Sequence, residues 1–371
     1  MSSLSDADLS SLIDRNIKYP EQLWYALAVF LFIVGCFQWG SSLHSKFARR
    51  RQHESDEEMA SNHVHHKFTL RRIPLALINF YRVVAFRWTL EIGQTYTLNI
   101  AEVFVTLGYI ALLYIYTFID TTSLDGQKFD IDYWSSRAAR VAASQIPLVT
   151  ALGTKNNIVS LVTGISYDKL NYIHRMMART CFTLLCVHGA SEASSYPYFT
   201  SNSNEAWLRL GMAALAALSI LIIVSLRPIR QEAYEVFFYT HIISVLIFLV
   251  GAYYHTSEYT ASFWIWPSFV IWGLDRFIRM VRLVVFNHSY FGFKSGSGTM
   301  DGTTELLSEN LVRLRLSRPP HFHWSPGQTA YLIMPSVSTL PFEAHPFTIA
   351  SFDSSLIQTT VPEDQSNSDM S

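Results

Sequence analysis

The chain has 371 residues, of which 50% are hydrophobic and only 15% are charged, and its formal net charge is −1. Soluble globular proteins carry nearer a quarter charged residues, so the composition indicates a membrane protein. The near-neutral balance argues against a nucleic-acid partner. Three cysteines, all within apolar runs, form no CxxC pair and predict no disulfide framework.

Seven apolar runs have the length of membrane spans, given a hydrocarbon core of about 30 Å. The third run contains Pro147 and ends beside Gly153, so a kink or a break is expected there. The polar segment before the first run lacks the basic start of a signal peptide, which favours a retained span. The runs are Leu23–Trp39, Leu98–Ile119, Ala138–Leu152, Tyr172–Glu192, Trp207–Leu226, Val236–His255 and Phe263–Val285.

Charge predicts how these spans are oriented. Nine Lys and Arg residues lie between Lys46 and Arg87, which places this segment in the cytoplasm by the positive-inside rule. Alternation then places the acidic segment Asp120–Trp134 outside, and it places the Arg-rich end of the last span inside. We therefore expect the N-terminus outside and the C-terminus in the cytoplasm.

Four histidines form two pairs with equal spacing inside apolar runs. His188 follows His174 by fourteen positions, and His255 follows His241 by fourteen. Fourteen helical steps return a side chain to within about 40° of its starting direction, roughly 21 Å further along the axis. One span separates the two histidine helices, so they run in the same direction. His174 is then level with His241 on the cytoplasmic side, and His188 with His255 on the outer side.

Such pairs predict two haem irons stacked across the membrane, each bound by two imidazoles. Phe248 lies seven residues from both His241 and His255, so it is a candidate for electron passage between the haems; ordinary core packing is the alternative. Arg137 and Arg140 stand at the outer end of the third span. They are candidates for neutralising haem propionates or holding an anionic acceptor, with interfacial snorkelling as the alternative.

The composition and the hydrophobic pattern change after the last span. The sequence predicts the beginning of a soluble β domain, with a Gly/Ser-rich linker, an imperfectly alternating strand, a Pro-Gly turn and a second strand. The segment from His345 to Thr348 offers an imidazole, a rigid proline, an aromatic face and a hydroxyl, so it is a candidate ligand loop. The last residues are polar and predict an unstructured tail. These segments are Asn287–Ser308, Leu311–Leu316, Trp324–Gln328, Thr329–Met334, His345–Ser351 and Pro362–Ser371.

These motifs together resemble the ferric reductase transmembrane superfamily, which includes fungal ferric/cupric reductases and NADPH oxidases. The resemblance covers roughly Ala101–Ser351. It is carried by the paired histidines, Pro326-Gly327-Gln328 and His345-Pro346-Phe347-Thr348. The segment from Asn156-Asn157 through Ser166-Tyr167 to His174-Arg175 is most similar to the fungal reductases.

The resemblance implies an all-α polytopic membrane bundle, with a six-helix ferric-reductase-like core plus one N-terminal span, followed by an incomplete β-barrel FAD-binding domain. The expected segments are 1–97, 98–285 and 286–371. Two haem b groups and FAD are the implied cofactors. His174, His188, His241 and His255 take the iron-ligand role, and His345, Pro346, Phe347 and Thr348 take the flavin role, with Thr348 nearest the isoalloxazine ring.

The implied function is electron transfer from cytosolic NADPH and FAD through two b-type haems to extracytoplasmic Fe(III) or Cu(II), at the plasma membrane and in contact with lipid. The family's NADPH site has no counterpart here, so we expect a truncated or split enzyme with a separate NADPH-domain partner, or a homo-oligomer. Two alternatives remain open: a superoxide-generating NADPH oxidase with oxygen as acceptor, and a non-catalytic haem-binding subunit.

Overall fold

The structure is a computed structural model. It describes residues 6–56, 73–92, 96–124, 126–194, 198–287, 302–316, 322–334, 337 and 344–351. The chain divides into two compact units, Met1–Phe277 and Ile278–Ser371. The predicted polar tail lies outside the described residues. The three predicted segments remain a prediction, although the first unit covers nearly all of the first two.

A long helix covers each of the seven apolar runs. Four of these helices are long and apolar enough to cross a membrane by length and composition. They are the helices of the runs that begin at Leu23, Leu98, Trp207 and Val236. Whether the other three also cross, and hence the six-helix core, remains a prediction. The helices are α1 (Asp6–Asp56), α3 (Ile100–Phe118), α4 (Ile131–Gly153), α6 (Tyr167–Ser194), α8 (Ala206–Val224), α10 (Tyr234–Ser257) and α11 (Trp266–Phe286).

Short elements connect the long helices. A β-hairpin precedes α3 and pairs Thr89 with Asn99. Asn99 then begins α3, because its side chain accepts from the Glu102 amide at 2.8 Å while the Glu102 carboxylate accepts from the Asn99 amide at 3.1 Å. The connecting elements are α2 (Ile73–Arg82), the π-helical turn Val83–Arg87, β1 (Thr89–Ile92), β2 (Tyr96–Asn99), α5 (Ile158–Thr163), α7 (Tyr198–Ser201), α9 (Arg227–Glu232) and the 3₁₀ turn Ser262–Trp264.

Helix α4 lies at the centre of the first unit, with 14 of its 23 residues buried. One side packs with α1, α3 and α6 in a cluster that includes Leu23, Leu113 and Leu184. Its other side packs with α8 and α10 through Ala143 and Ile146. Of the kink or break predicted at Pro147, the break is wrong, because the helix continues to Gly153, and the kink remains a prediction. The helix is packed by other helices on both sides, a setting in which a helix tolerates the hydrogen bond that proline cannot make.

The start of α1 is fixed against the α3–α4 connection by buried polar contacts. Asp8 is 1% exposed, and its Oδ1 accepts from the Tyr133 hydroxyl and the Leu124 amide, both at 2.8 Å. Tyr19 donates its hydroxyl to Asp120 Oδ2 at 2.7 Å. These bonds fix the register of α1 beside α4.

Arg137 of α4 holds the end of α3. Its side chain is fully buried at 0% exposure. Its guanidinium donates to the backbone carbonyls of Thr117, Ile119 and Asp120, and it lies 4.7 Å from the centre of the Tyr19 ring. A cation is favourable here because a helix C-terminus presents carbonyls without amide partners.

The second unit contains two antiparallel strand pairs among its described residues. Strands β3 (Thr303–Ser308) and β4 (Leu311–Arg315) pair through a bulge at Leu306/Ser308, and β5 (Thr329–Ile333) pairs with β6 (Ala344–Thr348). The predicted linker is therefore wrong at its end, which forms β3. The predicted loop conformation of His345–Thr348 is also wrong, because these residues belong to β6, whereas their role in binding a ligand remains a prediction. An incomplete barrel remains a prediction.

Replacing Arg137 by Met tests its anchoring role. We expect the free energy of unfolding to fall by about 1.5–3 kcal/mol, the range for a hydrogen bond to a charged group. Thermal unfolding of the purified protein measures the change. Arg209→Met is the matched control, because Arg209 is exposed on α8. Equal losses in the two variants would contradict the assigned role.

Candidate functional site

Helices α6 and α10 carry the four predicted histidines. The imidazole centroids of His188 and His255 are 6.4 Å apart, with the ring planes at 58°. This spacing accommodates one metal ion between two imidazoles, given metal–nitrogen bonds of about 2.0 Å. The structure therefore brings together the two histidines that the sequence placed at one level.

His174 and His241 form the second pair. Their side chains are close enough to interact electrostatically. The Nδ1 atom of His241 is buried and has no hydrogen-bond partner among the described residues. An unpartnered buried polar atom is costly, so it marks a site that a bound group or water would complete.

Three of the imidazoles are oriented by backbone carbonyls of neighbouring helices. His174 Nδ1 lies 2.7 Å from Val149 O, and His188 Nδ1 lies 3.2 Å from Ser135 O, both on α4. His255 Nδ1 lies 2.9 Å from Trp207 O on α8. A carbonyl only accepts, so Nδ1 carries the proton in each ring and donates it. The Nε2 lone pair is then available to a metal.

This donor set fits haem. Two imidazoles at each level would hold an iron through Nε2, and the nitrogen atoms of a porphyrin would supply its remaining ligands. The spacing on α4 agrees with the spacing on α6, because Ser135 and Val149 are also fourteen residues apart. These carbonyls were not found by sequence reasoning, since any residue type presents one.

A carboxylate also lies beside the 188/255 pair. Glu192 Oε1 is 3.8 Å from His188 Nδ1 and accepts a hydrogen bond from Ser135 Oγ at 2.9 Å. Sequence reasoning missed Glu192, although its position four residues after His188 places it on the same helix face.

Phe248 and Arg140 lie close to the predicted positions. Phe248 is 7% exposed and packs with Ala143, Ala214 and Leu249 in the α4–α8–α10 core, on α10 between the two histidine levels. Arg140 Nη2 lies 3.5 Å from Tyr259 O. The Tyr259 ring contacts the His255 ring, with centroids 6.0 Å apart.

Arg137 does not accompany Arg140 toward this pair. Its guanidinium is buried against the end of α3 rather than placed in water, so snorkelling does not describe it.

In the second unit, β5 and β6 bring two predicted motifs together. His345, Pro346, Phe347 and Thr348 pair with Leu332, Tyr331, Ala330 and Thr329 in that order. The Gly327 amide of the Pro-Gly turn donates to Ile349 O at 2.7 Å, and the Ile349 amide donates to Gln328 O at 2.8 Å. Phe347 keeps 55% of its surface exposed, so its aromatic face is available to a ligand.

Two sequence families match the chain. Residues 138–252 match the family described as ferric reductase like transmembrane component. Residues 299–361 match an FAD-binding domain. The first match spans α4 to α10 and stops before His255, and the second contains β3 to β6.

Fungal reductases are similar to the chain over more than half of its length. Ferric reductase transmembrane component 3 of Saccharomyces cerevisiae is 28% identical over 221 residues, which is 58% of this chain and 29% of the relative. A probable cell surface ferric reductase of Aspergillus oryzae is 32% identical over 225 residues, again 58% and 29%. Ferric/cupric reductase transmembrane component 1 of Candida albicans is 24% identical over 263 residues, 69% of this chain and 33% of the relative.

The chain thus spans about three tenths of the length of the curated relatives it matches. The apolar helices fit an integral membrane protein. The resemblance predicted from the histidine spacing and the β-strand motifs is confirmed: one segment of the chain is similar to a ferric reductase like transmembrane component, a later segment is similar to an FAD-binding domain, and fungal ferric and ferric/cupric reductases are similar to more than half of the chain.

Proposed function

We propose that this chain transfers electrons across a membrane from a flavin to extracytoplasmic Fe(III) or Cu(II), as the haem-containing part of a ferric/cupric reductase. The observation that carries the proposal is the pairing of His188 with His255 across a gap that fits one metal ion. The names of the relatives, ferric and ferric/cupric reductases, support a metal ion as the acceptor.

Two haem b groups are the proposed cofactors of the helical unit. His174 and His241 would hold one, and His188 and His255 the other; bound haem supplies one-electron redox chemistry at each level. The carbonyls of Val149, Ser135 and Trp207 hold their imidazoles in the tautomer that presents Nε2. The surrounding helices partly bury all four rings and so limit access of water to them.

Electrons are proposed to enter from the second unit. The exposed ring of Phe347, with His345, Pro346 and Thr348 beside it on β6, offers the flavin an aromatic face and hydrogen-bonding groups. NADPH is the proposed source of hydride, as the family resemblance implies. A separate NADPH-domain partner is proposed to supply its site.

The proposed orientation follows from charge. The basic segment from Lys46 to Arg87 favours the cytoplasmic side, which places the N-terminus and the 188/255 pair outside and the FAD-binding unit inside. The plasma membrane is the proposed location, supported by the name of the Aspergillus relative, a cell surface ferric reductase.

Phe248 and Arg140 have proposed roles in the transfer path. Phe248 lies between the two histidine levels, where an aromatic side chain fills the gap that an electron must cross. Arg140 approaches the 188/255 pair through Tyr259, where a cation suits a haem propionate or an anionic metal chelate.

Removing one histidine pair tests the haem assignment. We expect the purified chain to show a low-spin b-type signal in its reduced-minus-oxidised spectrum. A His188→Ala/His255→Ala double variant is expected to lose about half of it, because one level loses both ligands while the other remains. His44→Ala is the control, since His44 is exposed on α1. Survival of the full signal in the double variant would overturn the assignment.

The identity of the electron acceptor is tested with the purified chain alone and without NADPH. Haem-loaded protein is reduced chemically, freed of reductant, and mixed anaerobically with an Fe(III) chelate. We expect the haem bands to reoxidise with one Fe(II) formed per haem, because each haem gives up one electron. The oxidase alternative would be favoured if the haem stays reduced with the chelate but is reoxidised in air with release of superoxide.

Phe248→Leu separates electron passage from packing. Leucine keeps most of the buried apolar volume, so we expect thermal stability to change by less than about 1.5 kcal/mol. If the aromatic ring assists transfer, the rate of haem reoxidation by the chelate falls while haem content is unchanged. An unchanged rate would leave Phe248 as a core residue.

A further inference from the structure

Two glycines lie directly against haem-ligand candidates. A Cβ atom added at Gly153 would be 3.0 Å from Cε1 and 3.1 Å from Nδ1 of His174. A Cβ atom at Gly211 would be 2.6 Å from Nδ1 and 2.8 Å from Cε1 of His255. These distances are well inside the favourable carbon separation of about 3.5–4.0 Å, so a side chain at either position would collide with the ring.

The two contacts share one local geometry. Gly153 follows Val149 by four residues, and Gly211 follows Trp207 by four. Residues four apart lie above one another on a helix, and Cα–Cβ bonds tilt toward the helix N-terminus. A side chain at the glycine would therefore cover the carbonyl to which the imidazole donates.

We propose that Gly153 and Gly211 are positioning residues, which keep His174 and His255 oriented by leaving their Nδ1–H groups open access to Val149 O and Trp207 O. The inference rests on the proposed function, because the orientation matters through the metal that Nε2 would bind. A hydrogen bond from Nδ1–H increases the electron donation of the imidazole, which stabilises the ferric over the ferrous state.

Other helical glycines provide matched controls. A Cβ atom at Gly108 of α3 or at Gly273 of α11 would have nothing within 4 Å. A Cβ atom at Gly35 of α1 would meet Cγ1 of Val162 at 3.1 Å, which is as tight as the contact of Gly153 with Nδ1, and Gly35 is not adjacent to a histidine. Gly35→Ala thus reproduces the crowding away from the four rings.

The test is a redox titration of the purified, haem-loaded chain, followed by absorbance. We expect Gly211→Ala to shift the midpoint potential of one haem component in the positive direction by up to about 59 mV. For a one-electron couple this shift is a tenfold change in the equilibrium ratio of ferric to ferrous haem. Gly153→Ala is expected to shift the other component by a smaller amount, because its contacts are longer. Gly108→Ala and Gly35→Ala should leave both components unchanged.

Each outcome bears on the inference. Loss of one haem with the second component unaltered also supports it, since the remaining haem shows that the helices are folded. Unchanged potentials in both glycine variants, a shift of the same component in both, or an equal shift in Gly35→Ala would overturn it. A parent chain with no low-spin haem would overturn the proposed function as well, whereas unchanged potentials in loaded variants overturn the positioning role alone.

Discussion

The contact on which the site depends is a hydrogen bond from a partly buried imidazole Nδ1–H to a backbone carbonyl of the neighbouring helix. A neutral histidine inside a membrane has one donor and one acceptor nitrogen, and leaving the donor unpaired there would cost about 1–3 kcal/mol. Val149, Ser135 and Trp207 supply the acceptors for three of the four rings. The same bond fixes the tautomer of the imidazole. A hydrogen bond that folding requires therefore also leaves Nε2 available to the proposed iron.

This contact recurs because the helices are arranged in two similar pairs. Helix α4 runs beside α6, and its carbonyls at Ser135 and Val149 match the fourteen-residue spacing of the histidines on α6. Helix α8 runs beside α10, where Trp207 accepts from His255. The position fourteen residues after Trp207 is Leu221, near the end of α8 at Val224. Here the repetition ends, since His241 Nδ1 has no partner among the described residues.

Sequence patterns predicted the features that depend on the spacing of residues along a helix. The histidine levels follow from the helical repeat alone, and the 188/255 pair lies as expected. Hydropathy located the long helices for the same reason, because lipid-facing residues such as those of α3 and α8 are apolar. It was weakest for α4, where protein rather than lipid surrounds the helix and small or polar residues such as Ala142 and Ser144 are buried. Pro147 was misleading there because the local rule for proline ignores tertiary packing.

The hydrogen-bond partners of the imidazoles and the glycine contacts had no signal in the local sequence. Backbone carbonyls carry no residue identity, so the partners of the imidazoles could come only from the three-dimensional packing. Gly153 was predicted to kink or break the third span together with Pro147. It ends α4, but its closeness to His174 depends on a helix elsewhere in the chain. In the second unit, Thr303–Ser308 follow a Gly/Ser-rich stretch, and their pairing with β4 outweighs that local composition.

The most direct test of the account is the haem content of the purified chain, combined with near-infrared magnetic circular dichroism of its ferric form. Two haems per chain, both with the bands of bis-imidazole ligation, are the predicted result. One haem or fewer per chain, or a spectrum showing any ligand other than two imidazoles, would contradict the pairing of His174 with His241 and of His188 with His255.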